Sequence, residues 1–225
     1  MSCAEDQRRA MDRIYRVQRH IYDLTRKYFL LGRDRLIDDL ALTPGNFVCE
    51  IGCGTGRNLI RAARRNPEAL FFGIDASSEM LKSAEAAVRR ARLEERVTLA
   101  LGLAESCDPK TLFGLDRPFD VVFLSYSLSM IPDWRRAVEQ AFRLVGTEGR
   151  VLVVDFGDQA KLPRWFRSLL FAWLGRFSVT PRLELSSVFT RTAAAAGGRA
   201  ETRFLYRGYA QALAGHLGGG GSGSY

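Results

Sequence analysis

The chain has 225 residues, enough for one domain with a sizeable core, and its 47% hydrophobic and 26% charged residues are an ordinary globular balance. Lys and Arg outnumber Asp and Glu by 33 to 25, which points either to an anionic partner (nucleic acid or an acidic membrane surface) or to a merely solvated basic face. Cys3, Cys49, Cys53 and Cys107 have neither metal-ligand nor disulfide spacing, and His20 and His216 cannot build a metal site alone, so reduced thiols and no metal are expected.

Met1 to Arg9 is too polar for a secretory leader. From Gln7 to Leu42 no strand signal occurs, and Ile14, Ile21, Leu24 and Tyr28 fall on one helical stripe that Pro44-Gly45 closes. Phe47 to Ile51 reads as a buried strand ending in glycines, followed by a helix from Asn58. Leu70 to Ile74 is a second strand, ending at Asp75. Ser77 or Ser78 can cap the next helix, Glu79 to Ala91, with Glu79 suited to the helix dipole.

Val97 to Leu101, Asp120 to Leu124 and Arg150 to Asp155 read as further strands, with a helix from Trp134 to Leu144 before the last. Short apolar strands alternating with helices mean crossover units and a parallel sheet covered on both faces. Helices at Pro163 to Gly175 and Leu183 to Ala196 then precede a closing strand near Arg203 to Arg207. The apolar run Leu169 to Leu174 falls far short of the ~20 residues needed to cross a bilayer. Gly218 to Tyr225 reads as a flexible Gly/Ser tail.

The chemistry concentrates at Val48-Cys49-Glu50-Ile51-Gly52-Cys53-Gly54-Thr55-Gly56. A strand running through Gly52, Gly54 and Gly56 into a helix gives a turn with unusual dihedrals and a backbone a ligand can lie against. A dinucleotide fingerprint would put its third glycine at Arg57 instead. Asp75 follows Gly56 by 19 residues, at the carboxyl end of the next strand. There it can accept both hydroxyls of a ribose, or simply cap the helix that follows.

This acidic-x-Gly-x-Gly-x-Gly form resembles motif I of the class I S-adenosylmethionine (SAM)-dependent methyltransferases. The resemblance implies an α/β, Rossmann-like fold: a mostly parallel seven-stranded sheet with helices on both faces. It also implies SAM as cofactor, with Glu50 near the ligand's amino-acid end. Where family members often carry Asp after the third strand, this chain has Leu103. The adenine contact then falls to the Ala104 backbone, Glu105 and apolar neighbours.

After the fourth strand comes Ser125-Tyr126-Ser127-Leu128-Ser129-Met130-Ile131-Pro132-Asp133-Trp134, facing the reacting end of the ligand. The Asn-Pro-Pro-Tyr pattern of base methylators is absent here, and no cysteine follows Pro132, which argues against nucleic acid as substrate. Methyl transfer from a sulfonium depends chiefly on positioning and desolvation. Tyr126 either orients an acceptor amine, with Ser127 and Ser129 contributing, or caps the core with its ring.

The stretch Ile21 to Ile37, with Cys49 to Arg57 and Ser125 to Trp134, resembles the diacylglycerylhomoserine N-methyltransferases (the BtaB family) over about residues 8 to 216. That resemblance implies three methyl transfers onto the homoserine amine of a lipid, giving a trimethylated betaine lipid. Residues 1–42 are then an N-terminal helical lid, 43–216 the SAM-binding core with substrate- and membrane-facing C-terminal helices, and 217–225 the tail. The catalytic set is Tyr126 with Tyr22. Tyr15, Arg33 and Ser125 join the cofactor set, and Arg26, Tyr206 and Arg207 serve the acceptor, whose carboxylate needs an arginine.

The implied partner is a lipid head group at an anionic membrane surface, with the protein cytoplasmic and attached to the membrane's inner face. On the helix near Pro163, Trp165, Phe166, Leu169, Leu170, Trp173 and Phe177 either dip into a bilayer interface, with Arg164, Arg167 and Arg176 meeting phosphates, or pack over the sheet. Competing expectations are a phosphatidylethanolamine or quinone-precursor methyltransferase, a nucleic-acid methyltransferase, and a relative that binds SAM without turnover.

Overall fold

The computed structural model describes residues 30–176 and 179–218. Its strands are β1 (Phe47–Ile51), β2 (Leu70–Asp75), β3 (Val97–Leu101), β4 (Phe119–Ser125), β5 (Val145–Phe156), β6 (Arg199–Leu205) and β7 (Ala210–His216). They form one seven-stranded sheet in the order β3-β2-β1-β4-β5-β7-β6. The first five are parallel; β7 runs antiparallel between β5 and β6. The order reverses at β1 and β4, so the crevice at their carboxyl ends is where an open α/β sheet holds ligand.

The helices are α1 (Arg33–Asp38), α2 (Arg57–Arg65), α3 (Ser78–Ala91), α4 (Pro109–Phe113), α5 (Trp134–Leu144), α6 (Arg164–Arg176) and α7 (Leu185–Ala195). Alternation along the strands divides the core into two layers. On one face Val48, Phe71, Val121 and Phe123 meet Leu36, Leu40, Leu59, Ala62 and Val88, with Leu170 and Leu174 of α6 in the same layer. On the other, Cys49, Phe72, Val122 and Leu124 meet Val138, Ala141, Phe142 and Phe189. Both faces of β1, β2 and β4 are therefore dry, which is why they read as nearly continuous apolar runs.

Several boundaries differ from expectation. The closing strand expected at Arg203 to Arg207 lies at Arg199–Leu205, and Tyr206–Gly208 forms a 3-10 turn into β7, which no sequence signal announced. Small Ala and Gly residues in β7 carry little strand propensity; its two hydrogen-bonded neighbours make it a strand. Helix α4 was also unanticipated, although Asp108 caps it by accepting from the Thr111 N–H at 2.8 Å, with Pro109 following. The described part of the N-terminal segment leaves its helix at Asp38, before Leu42.

Both flanks of α6 are tied to the carboxyl edge of the sheet. Before it, the Gln159 N–H donates to Gly208 O at 2.9 Å, beside the β5–β7 pair Phe156 and Ala210. After it, the Thr180 N–H donates to Ser129 O at 2.9 Å, in the loop that follows β4. This helix is thus anchored along the edge where the site opens.

Candidate active site

The glycine turn is built by two backbone donors and by close approach. Gly52 N–H and Cys53 N–H both donate to Ile74 O, at 2.8 and 3.0 Å, which folds the chain over the end of β2. Gly52, Gly54 and Gly56 have φ of 74°, 55° and 74°, the left-handed region that glycine enters without strain. A Cβ on Gly52 would lie 2.5 Å from the Ser127 Cβ, and one on Gly56 3.2 Å from the Ala84 Cβ. Gly52 therefore admits the loop after β4, and Gly56 admits α3.

Asp75 holds the turn from the neighbouring strand. Its Oδ2 accepts from Gly54 N–H at 2.7 Å and its Oδ1 from Ser77 N–H at 2.9 Å. The cap of α3 is Ser77, whose Oγ accepts from Met80 N–H at 3.3 Å, so Asp75 is not spent on that task. Asp75 also lines the cleft.

That cleft is a concave surface at the carboxyl ends of the strands, where apolar walls surround a few polar groups. Gly52, Gly54, Asp75, Ala104, Glu105 and Tyr126 of the expected set line it. Ile74, Met80 and Leu103 make an apolar slot beside Ala104, and Met130, Ile131 and Pro132 wall the other end. An apolar slot, a carboxylate at its middle and a bare glycine backbone fit the adenine, ribose and amino-acid portions of SAM. Met130 to Pro132 belong to the stretch expected to face the reacting end, whereas Met80 was missed, since nothing local marks an apolar side chain as ligand-facing.

Glu50 is buried behind the loop, where its Oε1 accepts from Asn58 Nδ2 at 2.7 Å. Gly56, Ser125 and Arg33 also stand outside the lining: Gly56 packs on α3, while Ser125 and Arg33 are buried. Tyr206 and Arg207 are exposed on the β6–β7 turn, with Tyr206 near Gly32, and are not brought to the cleft wall. Tyr15, Tyr22 and Arg26, with most of the expected lid, lie outside the described residues.

Tyr126 is both wall and fastener. Its hydroxyl donates to Leu31 O at 2.6 Å, and its ring meets Phe156 edge-on at 4.8 Å. Burial pushes its phenol well above the usual range; nearby Tyr209 and Asp155 add to this and Arg33 opposes it. At neutral pH it is a hydroxyl donor fixing the approach to α1, not a phenolate base. The buried thiols of Cys49, Cys53 and Cys107 are likewise raised, Cys107 to about 12, as suits packing residues.

The loop after β4 has a clamp absent from the expected set. Asp155, buried at the end of β5, accepts from Ser129 N–H at 3.1 Å. Arg182 donates to Leu128 O at 3.1 Å and to Ile131 O at 2.9 Å. Burial raises Asp155 to about 6, with its backbone hydrogen bonds and the Arg182 charge opposing that rise. Among the described residues no group of side chains is arranged to hold a metal ion.

A family model described as a methyltransferase domain matches residues 42–186. The chain belongs to this methyltransferase family. Its cofactor is S-adenosylmethionine. Among relatives, the chain is 33% identical over 123 residues to 27-O-demethylrifamycin SV methyltransferase of Amycolatopsis mediterranei, covering 55% of this chain and 43% of that protein. It is 27% identical over 150 residues to demethylmenaquinone methyltransferase of Lactobacillus johnsonii, covering 64% and 59%. The chain thus spans about half the length of the curated relatives it matches. The geranyl diphosphate C-methyltransferase of Streptomyces coelicolor, solved with S-adenosyl-L-homocysteine, superposes with a TM-score of 0.63 at 14% identity, over 83% of this chain and 78% of that one. That likeness shows the shared fold.

Proposed function

We propose that this protein transfers methyl groups from SAM to the head group of a membrane-embedded amphiphile, with the amine of diacylglycerylhomoserine as acceptor and its trimethylated betaine lipid as product. The observation that carries the membrane reading is α6. It is anchored along the edge where the cleft opens, and it leaves Trp165 70% and Leu169 65% exposed, with Phe171 partly so. The helix packs on the sheet through Leu170 and Leu174, and Trp165, Leu169 and Ala172 form an exposed apolar stripe suited to the acyl boundary of a bilayer. No helix among the described residues is long and apolar enough to cross a membrane, so attachment would be peripheral.

SAM, when bound, supplies an electrophilic methyl group. Asp75, Gly52 and Gly54 hold and orient that cofactor, while Met130, Ile131 and Pro132 exclude water from the reacting end. The amine itself rests on the resemblance of Ile21 to Ile37 to the betaine-lipid enzymes.

The demethylmenaquinone methyltransferase relative favours a second reading, a quinone-precursor acceptor, which also resides in membranes. Both acceptors, presented in mixed micelles with SAM and followed by mass spectrometry, separate the two. Mono-, di- and trimethylated lipid is the expected result. Methylated quinone alone would select the second reading, and neither product, with SAM bound by calorimetry, would overturn both.

A further inference from the structure

A second concave surface lies outside the cleft between α2 and α3. Arg57, Arg61, Arg64 and Arg65 line it from α2, and Arg90 faces them from α3. Arg57, Arg61 and Arg64 follow the i, i+4, i+7 stripe of one helix, an arrangement in which like charges repel. Two carboxylates of α1 offset part of this. Asp34 pairs with Arg57 at 3.2 Å and Arg61 at 3.3 Å, and Asp38 pairs with Arg65. Arg64 and Arg90 have no acidic partner among the described residues, and Arg61 Nε is buried there without a hydrogen-bond partner.

Five guanidinium groups thus converge on a groove to which α1 brings two acids, and no acidic side chain lines it. Planar guanidinium forks match phosphate oxygens, and the hydroxyl of Thr55 adds a donor of the same use. No aromatic ring is part of the lining, so unpaired bases would find nothing to stack on.

We propose that this groove seats the phosphates of anionic phospholipids and supplies the electrostatic part of membrane docking, of which α6 is the apolar part. The proposal rests on the membrane reading above. Helices α2, α3 and α6 pack in one layer of the sheet, so the groove and α6 lie on the same side of it.

The test uses the full chain and vesicles of phosphatidylcholine, alone or mixed with phosphatidylglycerol, in a sedimentation assay. Arg64→Gln with Arg90→Gln changes two exposed side chains outside the core. At about fivefold per lost cation, binding to the mixed vesicles should fall about 25-fold, with SAM affinity unchanged. Trp165→Ser should instead weaken binding to both vesicle types. Undiminished binding of the double variant to mixed vesicles would overturn the groove while leaving α6 and the membrane reading in place. A wild-type protein that binds no vesicle would overturn both. If the double variant loses affinity for duplex RNA yet keeps its vesicle binding, the groove is a nucleic-acid site and the lipid proposal falls.

Discussion

A Cβ on Gly52 would press on Ser127 at 2.5 Å and would also impose a side chain on a φ of 74°. Gly52→Ala should therefore cost about 1–3 kcal/mol of stability and at least tenfold in SAM affinity, read by urea unfolding and calorimetry. Wild-type affinity would remove the close approach from the account of the site. Asp155 makes a pH prediction. Its folded pKa of about 6 stands above that of an unfolded carboxyl, so the folded chain keeps a proton that the unfolded chain releases between about pH 4 and 6. The stability this group contributes is complete below that window and is lost as pH rises through about 6, on the order of 3 kcal/mol in all. Asp155→Asn should flatten the fall in unfolding free energy between pH 5 and 7.5, and equal slopes in the two proteins would refute the assignment.

Elements meet at the loop after β4, held by Asp155 from β5 and by Arg182 and Thr180 from the segment that follows α6. Arg182→Met removes both donors to Leu128 O and Ile131 O. It should cost about 1–3 kcal/mol and raise the acceptor KM several-fold, because Met130 to Pro132 form the cleft wall. Tyr126→Phe should leave SAM affinity nearly intact while loosening Leu31 and α1, so KM rises more than kcat falls. A large loss of kcat alone would instead place the hydroxyl at the reacting atoms. Strands β1, β2 and β4 were legible to within a residue because both their faces are buried and their composition is almost continuously apolar. Strand β7 was not, since Ala210 to His216 has no strand pattern apart from the neighbours it joins.

For the whole molecule, cofactor and fold are coupled by mass action. SAM at about 100 times its Kd should raise the unfolding free energy by about 2.7 kcal/mol, visible as a shift in Tm, while Gly52→Ala, at the same SAM concentration, should lose about half of that shift or more. The glycine turn and Asp75 were readable in the chain alone, because backbone freedom and a carboxylate ending a strand are local requirements that leave local marks. The Asp155–Arg182 clamp, the bond from Tyr126 to Leu31 and the arginine groove were not, because each joins groups far apart in sequence. Turn chemistry and strand burial follow from neighbouring residues. What a buried carboxylate holds, and which two helices face one groove, follows only once the sheet has brought distant segments side by side.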